Sequence, residues 1–297
     1  MAQPSPKRFL CPADFVWDDV VIPALKEDWG RRGDITSRAI FDPDHICTAR
    51  FVAREGGVIC GVRAIECAMK ASGKNIDVRH HVQDGERVEQ GRVIATVTGP
   101  VIGVLEAERV ALNILSHLSA IATKTSKYAD VIAALGDQSK AKICCTRKTT
   151  PLLRSLEKYA VQCGGGVNHR FGLDDAVLIK DNHIAVAGDI CAAIDKIRDV
   201  VGHMVKIEVE VDNLHQLSLI LDKMQDKKID AVLLDNMTAQ ELKQAVEMVN
   251  GRFILEASGG VNLENLKSIA LSGVDLISCG ALTHSIQNFD IGLDIDS

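Results

Sequence analysis

At 297 residues, with 46% hydrophobic but only 4% aromatic residues, the chain is long enough for two domains and has the aliphatic composition of an α/β enzyme. A formal net charge of −6 argues against nucleic-acid binding through bulk electrostatics and leaves a focused pocket as the place for any cationic site. The nine cysteines are scattered without a C-x-x-C pair, which indicates neither a disulfide framework nor a cysteine zinc site and suits small buried residues in a reducing cytoplasm.

The first ten or so residues are Pro-rich and polar and read as a frayed arm, with no apolar core of a signal peptide. No later run is long and apolar enough to cross a bilayer, so no membrane partner is expected. "DDVVIPALKEDWG" has the spacing of an amphipathic helix closed by Gly30, with the turn-rich "RRGDITS" after it. From about 48 to 102 short alternating strands with Gly-containing turns dominate, which predicts a small α+β domain. The stretch "VQDGERVEQGRVIATVTGPVIGVLEAE" resembles the folded hairpins of carrier modules, but no lysine lies between Lys74 and Lys124 to carry a group.

"EAERVALNILSHLSAIATKTSKYADVIAAL" changes to helical period and predicts one long helix. Arg109 falls in its first turns beside Glu106 and Glu108, where a solvated helix residue is the plain reading. Six short apolar runs follow, "KICC", "AVLI", "VKIEVEV", "AVLLD", "FILEA" and "DLIS", most of them separated by helical patterns. Repeated βα units predict a parallel sheet, here an incomplete α/β barrel of about six strands, with a doubly wound open sheet as the alternative. Expected domains are 1–124 (α+β, including the start of the long helix), 125–285 (barrel) and 286–297 (tail).

Polar residues stand at the C-terminal end of nearly every run, the face on which parallel α/β folds bind ligands. Thr146, Arg147 and Lys148 follow the first, Lys180 the second, and Glu210 lies in the third; then come Asp235, the Ser258-Gly259-Gly260 turn, and Ser278 with Gly280. With His169 and Arg170 from "GGGVNHRFGL", the bases make a pocket for a polyanion, because arginine forks match paired oxygens. Glu210 and Asp235 suit Mg²⁺ that takes its other oxygens from a phosphorylated substrate, salt bridges to the same bases being the competing reading. "SGG" opening a helical pattern would seat a phosphate. Lys180 as a Schiff-base nucleophile is a further alternative.

"TRKTTPLLR", "KYAVQCGGGVNHRFGLDDAVLIKDNH", "KIEVEV", "LLDN", "EASGGV" and "VDLISCGALTHS", preceded by "EDWGRRGDITS" and "ERVALNILSHLSAIAT", resemble the quinolinate phosphoribosyltransferases, with motif order and spacing intact over residues 27 to 285. The resemblance implies an N-terminal open-faced sandwich, a barrel of fewer than eight strands, and Mg²⁺-dependent conversion of quinolinate and phosphoribosyl pyrophosphate to nicotinate mononucleotide, pyrophosphate and carbon dioxide. It implies that Arg147, Lys148, His169, Arg170 and Lys180 line the anionic substrate site, that Glu210 and Asp235 assist metal and ribose binding, and that Ser258 to Gly260 and Ser278 to Gly280 take the 5′-phosphate. It also implies a homodimer with shared sites, Arg109 reaching the partner's. The family usually has Gly where Leu152 and Ala120 stand, so loop conformation and helix packing are expected to differ there. A phosphoribosyltransferase for nicotinate is the alternative activity.

Overall fold

A computed structural model describes residues 11–73, 75–223 and 229–296, so the predicted N-terminal arm lies outside the described residues. The chain forms two compact units, Met1–Ser126 with Thr149–Gly165 and Thr283–Ser297, and Lys127–Lys148 with Gly166–Leu282.

In the first unit α1 (Asp14–Trp29) buries Trp17, Val21 and Leu25, one residue per turn along one stripe, and Gly30 closes it at φ 55°. Each of those side chains contributes about 1.5–3 kcal/mol by leaving water. Asp34 then caps α2 (Ile35–Ile40), accepting the Thr36 and Ser37 N–H groups. The chain continues through β1 (Ile46–Ala53), β2 (Gly57–Val58), α3 (Val62–Ser72), β3 (Asp77–His80), β4 (Arg87–Val88) and β5 (Val93–Pro100) into α4 (Val101–Ala133). Helix α3 was not expected; it buries Ala64, Ile65, Ala68 and Met69, and Asp84 accepts the Gly61 and Val62 N–H groups at its start. Helix α4 begins at Val101 rather than at Glu106, so the hairpin suggested by "VTGPVIGVL" ends at Pro100 and Arg109 lies in the third turn.

The second unit begins within α4 and adds β6 (Lys142–Cys144); the chain then returns to the first unit for α5 (Arg154–Cys163). Here the boundaries depart from 1–124, 125–285 and 286–297. Tyr159 of α5 stacks edge-on against Trp17 of the first unit, ring centroids 6.3 Å apart, and its hydroxyl donates to Asp84. Ahead of α5, Leu152 sits at φ 67°, a left-handed conformation that explains the family's glycine, and its side chain is 94% exposed. A Cβ in that region costs about 1–2 kcal/mol, and a glycine's extra unfolded-state entropy returns about 0.5–1 kcal/mol. Leu152→Gly is therefore expected to raise the melting temperature slightly; a lower value in a thermal melt would mean that Leu152 makes contacts that outweigh its strain.

The remaining strands of the second unit are β7 (Val177–Ile179), β8 (Ile207–Val211), β9 (Ala231–Asp235), β10 (Ile254–Ser258) and β11 (Leu276–Ser278). Helices α6 (Asp181–Ala187), α7 (Ile190–Val200), α8 (Leu214–Lys223), α9 (Ala239–Val249) and α10 (Leu266–Ala270) connect them. All six strands are parallel, in the order β6-β11-β10-β9-β8-β7. That is the order of a six-stranded ring left open between its first two strands. A doubly wound sheet would reverse direction in its interior, and this one does not. Beyond β6, Val167 bridges Cys144 in parallel, donating to the Ile143 carbonyl at 2.9 Å and accepting from the Cys145 N–H at 3.1 Å.

The last strand, β12 (Ile291–Ile295), pairs antiparallel with β1, so residues 283–297 complete the first unit's sheet, β12-β1-β5-β3, instead of forming a separate tail.

Candidate active site

Strand alternation builds the site in two tiers. In β8, Ile207, Val209 and Val211 are buried on one face, which puts Glu208 and Glu210 together on the other. The same alternation groups Leu233 with Asp235 in β9 and Glu256 with Ser258 in β10. Register aligns Ser258 with Asp235, and Leu233 with both Glu210 and Glu256.

At the strand ends, Lys180 Nζ donates to Glu210 Oε2 at 2.8 Å, the lysine 46% exposed and the carboxylate 10%. The ion pair weighed above as a competing reading is thus formed, with the lysine side chain still open to solvent. His183 Nδ1 accepts the Lys180 backbone N–H at 2.9 Å and fixes the strand-to-helix turn. Beside it, Asp235 Oδ2 accepts from Asn236 Nδ2 at 2.6 Å. Asn236 and Gly259 both have positive φ, 53° and 93°. A Cβ on Gly259 would stand 2.8 Å from the Asn236 backbone nitrogen, so the loops after β9 and β10 interlock only through glycine. At the neighbouring Gly260 nothing lies within 4 Å of the Cβ position, leaving that backbone open to a ligand.

One feature of the expected phosphate seat is corrected. "SGG" does not open a helix: α10 starts at Leu266, and the Gly260 carbonyl accepts from Asn265 Nδ2 at 3.0 Å. Ser278 is 4% exposed and its hydroxyl donates to the Ala257 carbonyl at 3.4 Å, and Gly280 begins a single 3₁₀ turn. On the loop after β10 the open backbone position is Gly260.

On the basic side, the Thr146 hydroxyl accepts the Lys148 N–H at 3.1 Å, turning the chain after β6. Arg147 and Arg170 are half-buried, and Lys148 is exposed. Burial and then the neighbouring Arg147 charge push the Arg170 pKa below its ordinary value, although Asp175 and Glu208 oppose this. Two guanidiniums that disfavour each other's charge are a seat for an anion. Arg170 Nη1 donates to the Ala176 carbonyl at 2.9 Å, while its buried Nε has no hydrogen-bond partner.

His169 is engaged at both ring nitrogens. Its Nδ1 accepts the Arg170 N–H at 2.8 Å and its Nε2 faces Glu208 Oε2 at 2.8 Å, an arrangement met by the neutral ring protonated on Nε2. Glu256 Oε1 lies 3.7 Å from the same nitrogen. Burial, then the Glu208 charge, pushes the Glu256 carboxyl up to about 8. These two glutamates went unnoticed in the sequence; the alternation in "IEVEV" and the two-residue step from Glu256 to Ser258 are the signals that could have found them.

Arg109 belongs to the first unit, its side chain 64% exposed and 3.9 Å from Glu108. It lines a cleft of about 260 Å³ with Glu27, Asp28 and Asn113, among others. All nine cysteines carry free thiols, eight of them buried. Among the described residues no helix is long and apolar enough to cross a membrane.

Family models for the quinolinate phosphoribosyl transferase N-terminal and C-terminal domains match residues 34–119 and 121–294. The chain is 42% identical to a probable nicotinate-nucleotide pyrophosphorylase [carboxylating] of Bacillus subtilis, over 91% of this chain and 90% of that protein. Identity is also 42% to the nicotinate-nucleotide pyrophosphorylase [carboxylating] of Mycobacterium leprae, over 93% and 96%. The crystal structure of the nicotinate-nucleotide pyrophosphorylase from Ehrlichia chaffeensis superposes with a TM-score of 0.87 at 41% identity, covering 94% of this chain and 98% of that one.

Proposed function

This chain belongs to the quinolinate phosphoribosyltransferase family, and from that membership we infer a decarboxylating pentosyltransferase of NAD biosynthesis that converts quinolinate and phosphoribosyl pyrophosphate to nicotinate mononucleotide, pyrophosphate and carbon dioxide. The observation that carries this reading is the Arg147–Arg170 pair in the same unit as the Lys180–Glu210 pair and Asp235. Two adjacent guanidinium forks suit a dicarboxylate better than the single carboxylate of nicotinate.

Breaking the bond from ribose C1′ to pyrophosphate develops oxocarbenium character and a departing polyanion, while the pyridine nitrogen forms the new bond. In this reading Glu210 and Asp235 stabilise the cationic ribose, and Lys148 and Lys180 meet the phosphates. No covalent protein intermediate is needed. The ribosylated ring is then a cationic electron sink, so the adjacent carboxylate leaves as carbon dioxide and its electron pair remains on the ring carbon until a proton arrives.

The all-oxygen donor set of Glu210 and Asp235, on adjacent strands, fits Mg²⁺ that keeps waters and takes phosphate oxygens. When bound, the ion would neutralise the leaving pyrophosphate. Nine cysteines outside any disulfide also accord with a cytoplasmic enzyme. The direct assay supplies Mg²⁺, phosphoribosyl pyrophosphate and either quinolinate or nicotinate; mononucleotide from nicotinate alone would replace this reading with the alternative.

A homodimer with Arg109 completing the partner's substrate site is part of the same proposal, supported by an exposed arginine whose nearest carboxylate is 3.9 Å away. Arg109→Ala and Arg147→Ala proteins are each expected to be inactive, and mixing them under subunit exchange restores one intact site in each mixed dimer. Exchange without recovered activity would return Arg109 to a structural role or to its own chain.

A further inference from the structure

His169, Glu208 and Glu256 bring ligand-type atoms within 4.8 Å of one another, the outline of a small metal site. The hydrogen positions oppose that use. The Arg170 N–H points at His169 Nδ1, so that nitrogen offers its lone pair and the proton of the neutral ring sits on Nε2, facing Glu208. A metal on Nε2 would require the proton to move to Nδ1, directly against the Arg170 N–H.

We propose that Glu208 is a positioning residue: by accepting the His169 Nε2 proton it holds the ring in the tautomer whose Nδ1 anchors the Arg170 backbone, and so sets where the Arg170 guanidinium meets the anionic substrate. The inference rests on the reading of Arg170 as a quinolinate contact. Residues 168–170 have no regular secondary structure, so the backbone there is held by such individual bonds. The second tether of Arg170, from Nη1 to the Ala176 carbonyl at 2.9 Å, fixes the far end of the same side chain. Glu256 Oε1, at 3.7 Å, is beyond hydrogen-bond reach of Nε2 and accepts no hydrogen bond, which leaves Glu208 as the acceptor. The device recurs nearby, where His183 Nδ1 accepts the backbone N–H of Lys180.

Nitrogen-15 NMR of histidine-labelled protein, with His169 assigned by its loss in His169→Gln, should show Nε2 protonated and Nδ1 bare. The opposite tautomer would overturn the proposal. In steady-state kinetics Glu208→Leu should raise KM for quinolinate by about tenfold or more while KM for phosphoribosyl pyrophosphate stays within about twofold. Equal rises in both would also overturn it. Glu208→Gln keeps an acceptor oxygen and should retain both the tautomer and most of the quinolinate affinity, which tests the proposal even if the leucine variant folds poorly. If wild-type protein does not turn over quinolinate, the functional reading fails, whereas the NMR result still decides the tautomer without substrate.

Discussion

Replacing Lys180 with methionine is expected to lower kcat/KM for mononucleotide formation by about 10²–10³-fold, the usual cost of removing one preorganised group from a developing charge. The lysine lies 2.8 Å from Glu210 with its side chain 46% exposed, so it can hold the buried carboxylate and also face an anion. Part of the loss could arise because Glu210 is left buried without its cation. The double variant Lys180→Met/Glu210→Gln separates the two effects. If Lys180 acts on the departing pyrophosphate, the double variant is at least as slow as the single one, because Glu210 also serves the reaction; recovery to near wild-type rate would make the pair structural. Borohydride added during turnover should leave no adduct on Lys180, because no imine is formed.

Glu256→Gln is expected to make the protein progressively more stable than wild type as pH rises from about 4.5 to about 8. With its pKa raised to about 8 in the fold, against a model value of 4.5, Glu256 binds more proton in the native than in the unfolded state throughout that window. Its contribution to stability is fully present below the unfolded value and is lost as pH rises through the folded value, at up to about 1.4 kcal/mol per pH unit. Glutamine mimics the protonated acid and removes this dependence. Melting temperatures of the two proteins across pH 5 to 8.5 test it, since taking their difference cancels other titrating groups, including Asp84, whose pKa burial also raises. A constant difference would mean that Glu256 is already ionised in the fold.

The six parallel strands were legible because each is a short apolar run with a polar residue at its end, and the helix signals between most of them imply crossovers. Helix α3 was hidden among strands by glycines on both sides and by its short length, and the first turn of α4 read as strand because Val101, Ile102 and Val104 are as much at home in one as in the other. The assignment of α5 and β12 to the first unit could not be read from chain order, since both return to it after the chain has entered the second.

Sequence by itself determined the chemical inventory: two acids, Glu210 and Asp235, and the bases Arg147, Lys148 and Lys180 at or near strand ends, with Arg170 in the glycine-led block before a strand, in the order of a known family. It also marked Leu152 as out of keeping with its loop, whereas the reason Gly259 is glycine, its positive φ against Asn236, came from the structure. Only the tertiary structure decided which partners such groups meet. His169 meets a backbone N–H with one ring nitrogen and, with the other, a carboxylate brought from a strand 39 residues away, and burial pushes the Glu256 carboxyl up because it removes the water that would stabilise its anion. Residue type fixes what a side chain can donate or accept; its charge state depends on neighbours and solvent, which exist only after folding.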